Sequence, residues 1–586
     1  MKLSDYLAQR ISSLGIRHVF AVSGGASLHL IHSLHETEGV EFVCPQHEQA
    51  GAMAADGYAR VTGKWGAAIG TSGPGATNLV TGIGCSYYDS IPTIFITGQV
   101  STFRMRGQSG ARQIGFQETP IVDLCKSITK YAAQICDPSQ VRYEFEKAVY
   151  HAMTGRPGPV LLDIPDDVQR MEIDPDQLPG FNPPPGSMLP PFDPVPVLDL
   201  LMASQRPVIV AGWGIRLSGC EVMFRQWVEE MGVPVALTWA VADLLPEGHP
   251  CRIGTFGTHG TRYANFAVQN ADLLLSLGSR LDTKATGSPV TTFARGAKKI
   301  MVDIDAAELQ KFKKFGLDFD LLVQADAAVA VQSLCKSTVG LPRPDWQSWR
   351  DRISGWQQTY PICLESYRRD EEVNPYVFVD TLAKLCPSPC HIVIDTGCSI
   401  AWMMQGFTPR DGHRLFHDFN NTAMGWALPA AIGACFARPE VPVVCVTGDG
   451  SLMMNIQEMA TVTRHGLPIT MFLINNKGYS MIQQTQDQWL DSNYLASSLE
   501  GGLAFPDFNR VANGFGWDTL DLIRNADCDD AVQSALNSVR PVVCNVRVPA
   551  RQRVIPQVKF GRPNEDPEPL IPRTEFRQNM IVTPVE

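Results

Sequence analysis

Short apolar runs recur along this chain, and each closes on a small cluster of Gly, Asp, Asn or Ser. Val443-Val444-Cys445-Val446 and the run from Ile469 to Ile474 are apolar without alternation. That is the pattern of strands buried on both faces of a parallel sheet. Phe42-Val43-Cys44 reads as a strand end and Pro159 to Pro165 as a complete strand, while the N-terminal twenty residues read as an amphipathic helix leading to a strand. Strand-like and helix-like stretches alternate throughout, which predicts an α/β fold with doubly wound parallel sheets. Pro-rich breaks divide the series into a region 1–170, a linker 171–196 containing Asn182-Pro183-Pro184-Pro185-Gly186, a region 197–340, a second linker 341–369 and a region 370–550. The tail 551–586 is rich in Pro, Arg and Glu and is expected to lie as a surface arm over the body or over a partner subunit.

Composition narrows the function classes. The chain has 586 residues, 44% of them hydrophobic, and a net charge of −11. The acidic balance and the absence of any basic cluster speak against a nucleic-acid surface. No apolar run approaches the roughly 18 residues of a membrane span. The N-terminus lacks the apolar core and cleavage site of a secretory signal, so a cytoplasmic protein is expected. The fifteen cysteines are scattered. Cys44, Cys435, Cys445 and Cys544 lie in apolar segments and read as reduced core residues. Cys386-Pro-Ser-Pro-Cys390, the one close pair, reads as a loop.

The chemistry gathers at the ends of two apolar runs. Gly448-Asp449-Gly450-Ser451 follows the first, and Asn475-Asn476 ends the second, with Asn476 27 residues after Asp449. Neighbouring parallel strands would place both on one sheet edge, where ligands bind. Glycine beside Asp449 lets a phosphate approach backbone N–H groups, and Asp449 with the Asn476 side-chain oxygen would offer the hard ligands Mg²⁺ requires. Either half alone reads equally as a strand-to-loop turn. Glu48 begins a stretch rich in small residues, Ala50, Gly51, Ala52, Ala54 and Ala55, which suggests a closely packed helix with Glu48 at its N-terminal end.

GDG followed by NN, with Glu48 far upstream, resembles the motif of thiamine diphosphate (ThDP) enzymes. Further markers are Ser23-Gly24-Gly25-Ala26, Thr71 to Asn78, Phe116-Gln117-Glu118-Thr119-Pro120, Gly155 to Pro159 and Met424 to Pro429. With the three-region plan, they make nearly the whole chain similar to the acetolactate synthase branch. The resemblance implies a pyrimidine-binding domain, a central domain and a diphosphate-binding domain. It implies a metal held by Asp449, Asn476 and the carbonyl of Gly478, and a diphosphate bound near Gly448, Gly450 and Ser451. Glu48 would hydrogen-bond N1′ of the aminopyrimidine, so that N4′ removes the proton from thiazolium C2. Met424 would wedge under the cofactor and Thr422 would offer a carbonyl to N4′. Gly24 and Gly25 would form the loop over the reacting centre, Gln117 would contact substrate, and Phe116 would pack on the donor's methyl group. The family's decarboxylases carry a His-His pair in the first domain; no such pair occurs here, which favours C–C bond formation over aldehyde release. The cofactor of this branch lies between subunits, so a homodimer or homotetramer is implied.

In the central region, Ala211-Gly212-Trp213-Gly214 is a weak dinucleotide signal by itself. It stands with Gly257-Thr258-His259-Gly260, Gly278-Ser279-Arg280-Leu281-Asp282 and Val302-Asp303-Ile304-Asp305. These resemble the FAD-binding loops of acetolactate synthases, with Arg156 and Asp326 as further matches. Arg156 or Arg280 would neutralise the pyrophosphate and Asp303 would hold ribose hydroxyls.

The acceptor side departs from that family. Its Met, Arg and Trp become Thr258, Lys284 and Thr485, a Val near the donor methyl becomes Ser279, a Lys becomes Asp166, and a Gln-His pair becomes Ile400-Ala401. Lys can pair a carboxylate only as a point charge, and Thr in place of Trp opens the pocket. The chain's end is similar to acetolactate-synthase-like proteins associated with surface-polysaccharide sugars. The reading is a carboligase that decarboxylates pyruvate and transfers the two-carbon unit to a ketone or nucleotide-linked keto sugar. The alternatives are an acetolactate synthase joining two pyruvates, and a pyruvate oxidase in which FAD takes the electrons. A regulatory protein is disfavoured because Glu48, Asp449 and Asn476 are all present.

Overall fold

The computed structural model describes residues 1–185 and 189–585. Gly186 of the Pro-rich linker lies outside them. The apolar runs form three six-stranded sheets, parallel throughout. The first contains β1 (His18–Ala21), β2 (Glu41–Val43), β3 (Gly66–Gly70), β4 (Thr93–Gln99), β5 (Tyr131–Gln134) and β6 (Val160–Pro165). The second contains β7 (Pro207–Ala211), β8 (Val235–Leu237), β9 (Arg252–Thr255), β10 (Leu273–Leu277), β11 (Lys298–Asp303) and β12 (Leu321–Gln324). The third contains β13 (Cys390–Ile394), β14 (His413–Phe416), β15 (Val443–Gly448), β16 (Ile469–Asn475), β17 (Asp518–Leu522) and β18 (Val542–Arg547).

The strand orders say where ligands can sit. The first sheet runs β2-β1-β3-β4-β6-β5 and the third β14-β13-β15-β16-β18-β17, the same order displaced along the chain. Their chain order reverses between β1 and β3, and between β13 and β15. The central sheet, read from β9, runs β9-β8-β7-β10-β11-β12. That is the dinucleotide-binding order 3-2-1-4-5-6, with its crevice between β7 and β10.

The first and third domains share one hydrophobic core, in which the helices Glu48–Thr62 and Ala427–Ala437 lie against each other. Their small residues explain the close approach: a Cβ on Gly433 would stand 2.0 Å from the Ala54 carbonyl oxygen, and one on Gly57 2.5 Å from that of Ala430. Arg60 locks the same junction. It donates to Asp56 and Asp89 and to the His417 carbonyl, and it stacks 4.9 Å from the Trp426 ring centroid.

Three local expectations change. The segment 341–369 carries the helix Gln347–Thr359, whose Trp349, Ile353 and Trp356 are buried in the central domain; the Trp349 indole donates to the Pro207 carbonyl at the start of β7. The tail is more than a surface arm. Asn564 and Glu565 are buried, Glu565 pairs with Arg295, and the helix Arg573–Asn579 buries Phe576 in the same core. Cys44 is exposed, while Cys435, Cys445 and Cys544 are buried as expected; the run containing Cys44 ends before it, so its side chain leaves the sheet. All fifteen cysteines are unpaired. No helix among the described residues is long and apolar enough to cross a membrane.

Candidate active site

In the third domain, β15 and β16 are adjacent and parallel, with Gly448 opposite Ile474. Asp449 and Asn476 therefore emerge side by side at one sheet edge. Asp449 begins the helix Asp449–Asn455. Its buried carboxylate accepts from the backbone N–H groups of Gly450 (2.7 Å), Lys477 (2.6 Å) and Asn476 (3.1 Å). Burial pushes its pKa up to about 6, against the opposing pull of those N–H groups. A neighbouring cation would relieve that cost. Asn476 Nδ2 donates to Ser480 Oγ at 2.7 Å, which fixes the amide so that Oδ1 faces the Gly478 N–H at 3.2 Å. No group of three or more His, Cys, Asp or Glu fit to hold a metal occurs among the described residues. The Asp449 carboxylate and Asn476 Oδ1 are hard oxygen donors of the kind that Mg²⁺ takes together with phosphate and water.

Met424 reaches this edge: its Cε lies 3.3 Å from where a Cβ on Gly450 would be, and the Tyr479 ring closes the other side at 2.1 Å. Thr422 and Lys477, flanking the site, hold left-handed backbone angles of φ 53° and 57°. Such strain in non-glycine residues gathers at functional loops. Ser451 is buried beside them.

Sequence reasoning missed two residues here. Asp395, at the end of β13, accepts from the N–H groups of Gly425 (3.0 Å) and Ala427 (3.3 Å) and from the Thr447 hydroxyl (3.1 Å). It ties the Met424 loop to β15. Ser399 faces Gly448, its hydroxyl 3.6 Å from a Cβ position there. Both belong to Asp395-Thr-Gly-Cys-Ser399, whose signal was its place at the end of an apolar run, like GDG. Ile400 and Ala401 are buried.

In the first domain, Glu48 opens its helix and is buried. Oε2 accepts from Asn78 Nδ2 at 2.9 Å, and Oε1 has no protein donor among the described residues, which leaves it for a ligand. Gly24 and Gly75 both crowd Thr71, whose hydroxyl is buried without a hydrogen-bond partner. Gly25 faces open space. Gln117 has φ 66° and packs on Gly73, and Phe116 beside it is 85% exposed. Asp166 accepts from the Ser101 hydroxyl and so braces the loop that carries them. Every hydrogen-bond partner of Glu48 lies in the first domain, and those of Asp449 lie in the third.

The flavin candidates converge. One pocket is lined by Arg156, Gly214, Thr258, His259, Gly278, Arg280, Lys284, Asp303, Ile304 and Asp326. It lies at the crevice between β7 and β10, where Gly214 N donates to the Gly278 carbonyl at 2.8 Å and Gly212 packs on Ser279. Tyr88, Asp89, Phe419 and Asn420 of the other two domains close it. Asp303, pushed up to about 6 by burial, accepts from the Asp305 N–H at 2.9 Å, and Asp326 caps the helix Ala327–Thr338. Sequence reasoning missed Glu308. It pairs with Arg156 at 2.9 Å and Lys311 at 2.7 Å, and lies 3.6 Å from Arg280. A pyrophosphate here would share those cations with it. Thr485 lies outside the lining. Its hydroxyl turns back to the Met481 carbonyl at 3.2 Å, on the helix Ser480–Trp489 whose Gln484 touches Gln557 of the tail.

Comparison with known proteins agrees with this layout. Family models describing thiamine pyrophosphate enzymes match three times: the N-terminal TPP binding domain over residues 1–123, the central domain over 196–334, and the C-terminal TPP binding domain over 395–546. Acetolactate synthase 2, chloroplastic, of Nicotiana tabacum is 35% identical over 96% of this chain and 84% of its own length. Acetolactate synthase 1, chloroplastic, of Zea mays is 35% identical over 96% and 87%, and a probable acetolactate synthase 2, chloroplastic, of Oryza sativa subsp. japonica is 36% identical over 95% and 84%. The chain therefore belongs to the acetolactate-synthase-like family of thiamine-diphosphate-dependent enzymes, and it is an enzyme of the carboligase type.

Proposed function

We propose that this enzyme takes a two-carbon unit from pyruvate and joins it to a carbonyl acceptor bulkier than pyruvate, a ketone or a nucleotide-linked keto sugar. Thiamine diphosphate, when bound, supplies the carbon nucleophile that lets pyruvate lose CO₂. Asp449, Asn476 Oδ1 and the Gly478 carbonyl would hold Mg²⁺ against its diphosphate, and Ser399 and Ser451 would hydrogen-bond the phosphates. Glu48 Oε1 would hold a proton at the aminopyrimidine N1′. Gln117 and Phe116 would position the donor, and FAD would occupy the part of the central pocket lined by Arg156, Arg280, Asp303 and Asp326, without net redox work, leaving the part lined by Thr258 and Lys284 to the acceptor.

The two halves of this site lie in different domains, and each carries uncovered apolar surface: Phe103, Ile114 and Phe116 on the first, Met454 and Trp489 on the third. Exposed apolar patches of this kind fit an association surface, and we propose a homodimer or homotetramer in which one subunit's Glu48 meets another's Asp449.

The observation that carries the acceptor reading is the rewritten pocket wall. Thr258 and Lys284 line the cavity, with the Lys284 ammonium 5.9 Å from the Trp239 ring centroid, and Thr485, outside that lining, carries no large ring that could reach it. The test is the ratio of kcat/KM for a bulky ketone to that for pyruvate as acceptor. Thr485→Trp should lower the ratio about tenfold or more by steric exclusion. An unchanged ratio, with acetolactate as the sole product of the wild type, favours the second reading. That reading is an acetolactate synthase, which the names of the relatives support and for which Lys284 would serve the second pyruvate's carboxylate.

A further inference from the structure

The tail does more than pack on the central domain; it sets the direction of a row of hydrogen bonds that ends at Thr258 in the central pocket. The row starts on backbone, where orientation is not in doubt. The Val554 N–H donates to Gln484 Oε1 at 3.0 Å, and Gln484 Nε2 donates to the Val554 carbonyl at 2.9 Å. A flipped Gln484 amide would set donor against donor, so its Nε2 faces outward, where it donates to Gln557 Oε1. Gln488 Nε2 approaches the same oxygen at 3.5 Å. Gln557 must then turn its own Nε2 toward His259 Nε2, 3.0 Å away. An amide N–H can only donate. His259 Nε2 is therefore the bare, accepting nitrogen, and the ring proton sits on Nδ1. Nδ1 in turn faces Thr258 Oγ1 at 3.1 Å, so the hydroxyl oxygen accepts. Thr258's own hydrogen has no acceptor among the described residues, and Thr258 lines the pocket.

We propose that Gln557 and His259 are positioning residues that make Thr258 an obligate hydrogen-bond donor to the carbonyl oxygen of the acceptor. As the new C–C bond forms, the acceptor's C=O electron pair moves onto that oxygen, and a fixed donor there lowers the barrier. That oxygen takes up its proton from water as the alcohol forms, and none is transferred from Thr258. A pocket built this way also discriminates against acceptors that lack a carbonyl oxygen at this point, because such a ligand leaves the hydroxyl unpaired. The role rests on the acceptor-side reading of Thr258 given above; the orientation of the row does not. Two features hold His259 neutral: its burial, and Lys284, the one charged group that acts on it, which together push its pKa down to about 3. Gln557 adds a third, since a proton on Nε2 would meet its N–H. The tail itself is fixed there by paired backbone bonds between Gln557 and Glu568 and by the Val558 N–H donating to the Thr258 carbonyl at 2.8 Å.

The test uses the full-length enzyme labelled with ¹⁵N-histidine, with His259→Asn to assign its signal. The expected result is a protonated Nδ1 and a bare Nε2, unchanged from about pH 6 to 8. A protonated Nε2 in the wild type overturns the row, whatever the enzyme's reaction proves to be. Gln557→Glu replaces the donor with an acceptor. It should move the ring proton to Nε2, turn Nδ1 into an acceptor and draw Thr258's hydrogen away from the pocket. Acceptor kcat/KM should then fall about tenfold and recover as pH drops and His259 gains its second proton, a limb the wild type lacks. Thr258→Val should show the same loss without the limb, and Thr258→Ser should restore the wild-type value. If the tautomer is as stated but Thr258→Val leaves acceptor kcat/KM unchanged, Thr258 does not serve the acceptor, and the proposal is overturned.

Discussion

Glu48 and Asp449 divide the work of the site, and they should fail differently. Glu48 has one carboxylate oxygen tied to Asn78 and the other free. Glu48→Gln is expected to leave cofactor and metal affinity near wild type while turnover drops by about 10² or more, the scale of lost acid–base assistance. H/D exchange at C2 of the bound cofactor is the measurement, and near-normal exchange would remove Glu48 from the mechanism. Asp449→Ala should instead weaken Mg²⁺ and cofactor binding together in calorimetry. Asp449 also predicts a pH dependence. Its folded pKa is raised from 3.8 to about 6 by burial, so its favourable contribution to the metal-free fold is present at low pH and lost as pH rises through about 6. Metal binding has the opposite sign, because the cation needs the carboxylate. Mg²⁺ affinity should fall by about tenfold per pH unit below 6. Both residues were legible in the sequence because GDG, the later NN and the small-residue stretch after Glu48 together resemble the ThDP motif; each alone reads equally as a turn or a helix end. Asp395, Ser399 and Glu308 were not. An Asp-Thr-Gly turn is ordinary, and what gives these residues a role is a contact across 30 residues or more: Asp395 to Gly425, and Glu308 to Arg156.

Among the elements, the sheets were the most readable, since parallel strands buried on both faces must be apolar without alternation. Their order was not, because it depends on which strands meet. It is this order that separates a dinucleotide crevice in the centre from the two matching sheets beside it. The helix pair Glu48–Thr62 and Ala427–Ala437 was half legible: the small residues announced a close contact but not the partner. Gly433→Ala tests that contact. In an open helix the change is favourable by roughly 0.5–1 kcal/mol. Here the new Cβ would stand 2.0 Å from a backbone oxygen, and overpacking of this kind costs about 1–3 kcal/mol. Chemical denaturation should show net destabilisation of that size. A stabilised variant would mean that the two helices are not held at this distance. That the tail lies over the body agrees with its sequence, but its buried residues were not legible, for a related reason. A Pro-rich, charged sequence signals exposure, yet Glu565 is buried because Arg295 and Gln269 happen to meet it.

At the scale of the whole molecule, three domains meet around one pocket, and Glu48 and Asp449 lie in different domains. The pocket predicts that the purified protein binds about one FAD per chain, read from its flavin absorbance. Protein that stays colourless with added FAD would leave the crevice between β7 and β10 without that ligand. If one subunit's Glu48 meets another's Asp449, as proposed, activity follows association: dilution until light scattering reads single chains should remove turnover, and concentrating the protein again should restore it. In the proposed reaction pyruvate gives up its carboxyl carbon, and the remaining two carbons form a new C–C bond to a second carbonyl compound. Its most direct test is mass spectrometry of the products from [2,3-¹³C]pyruvate offered with a panel of ketones and nucleotide keto sugars. The expected result is release of unlabelled CO₂ and a product heavier than its acceptor by the labelled acetyl unit. Labelled acetaldehyde or acetate as the sole product, with no label joined to any acceptor or to a second pyruvate, would contradict it.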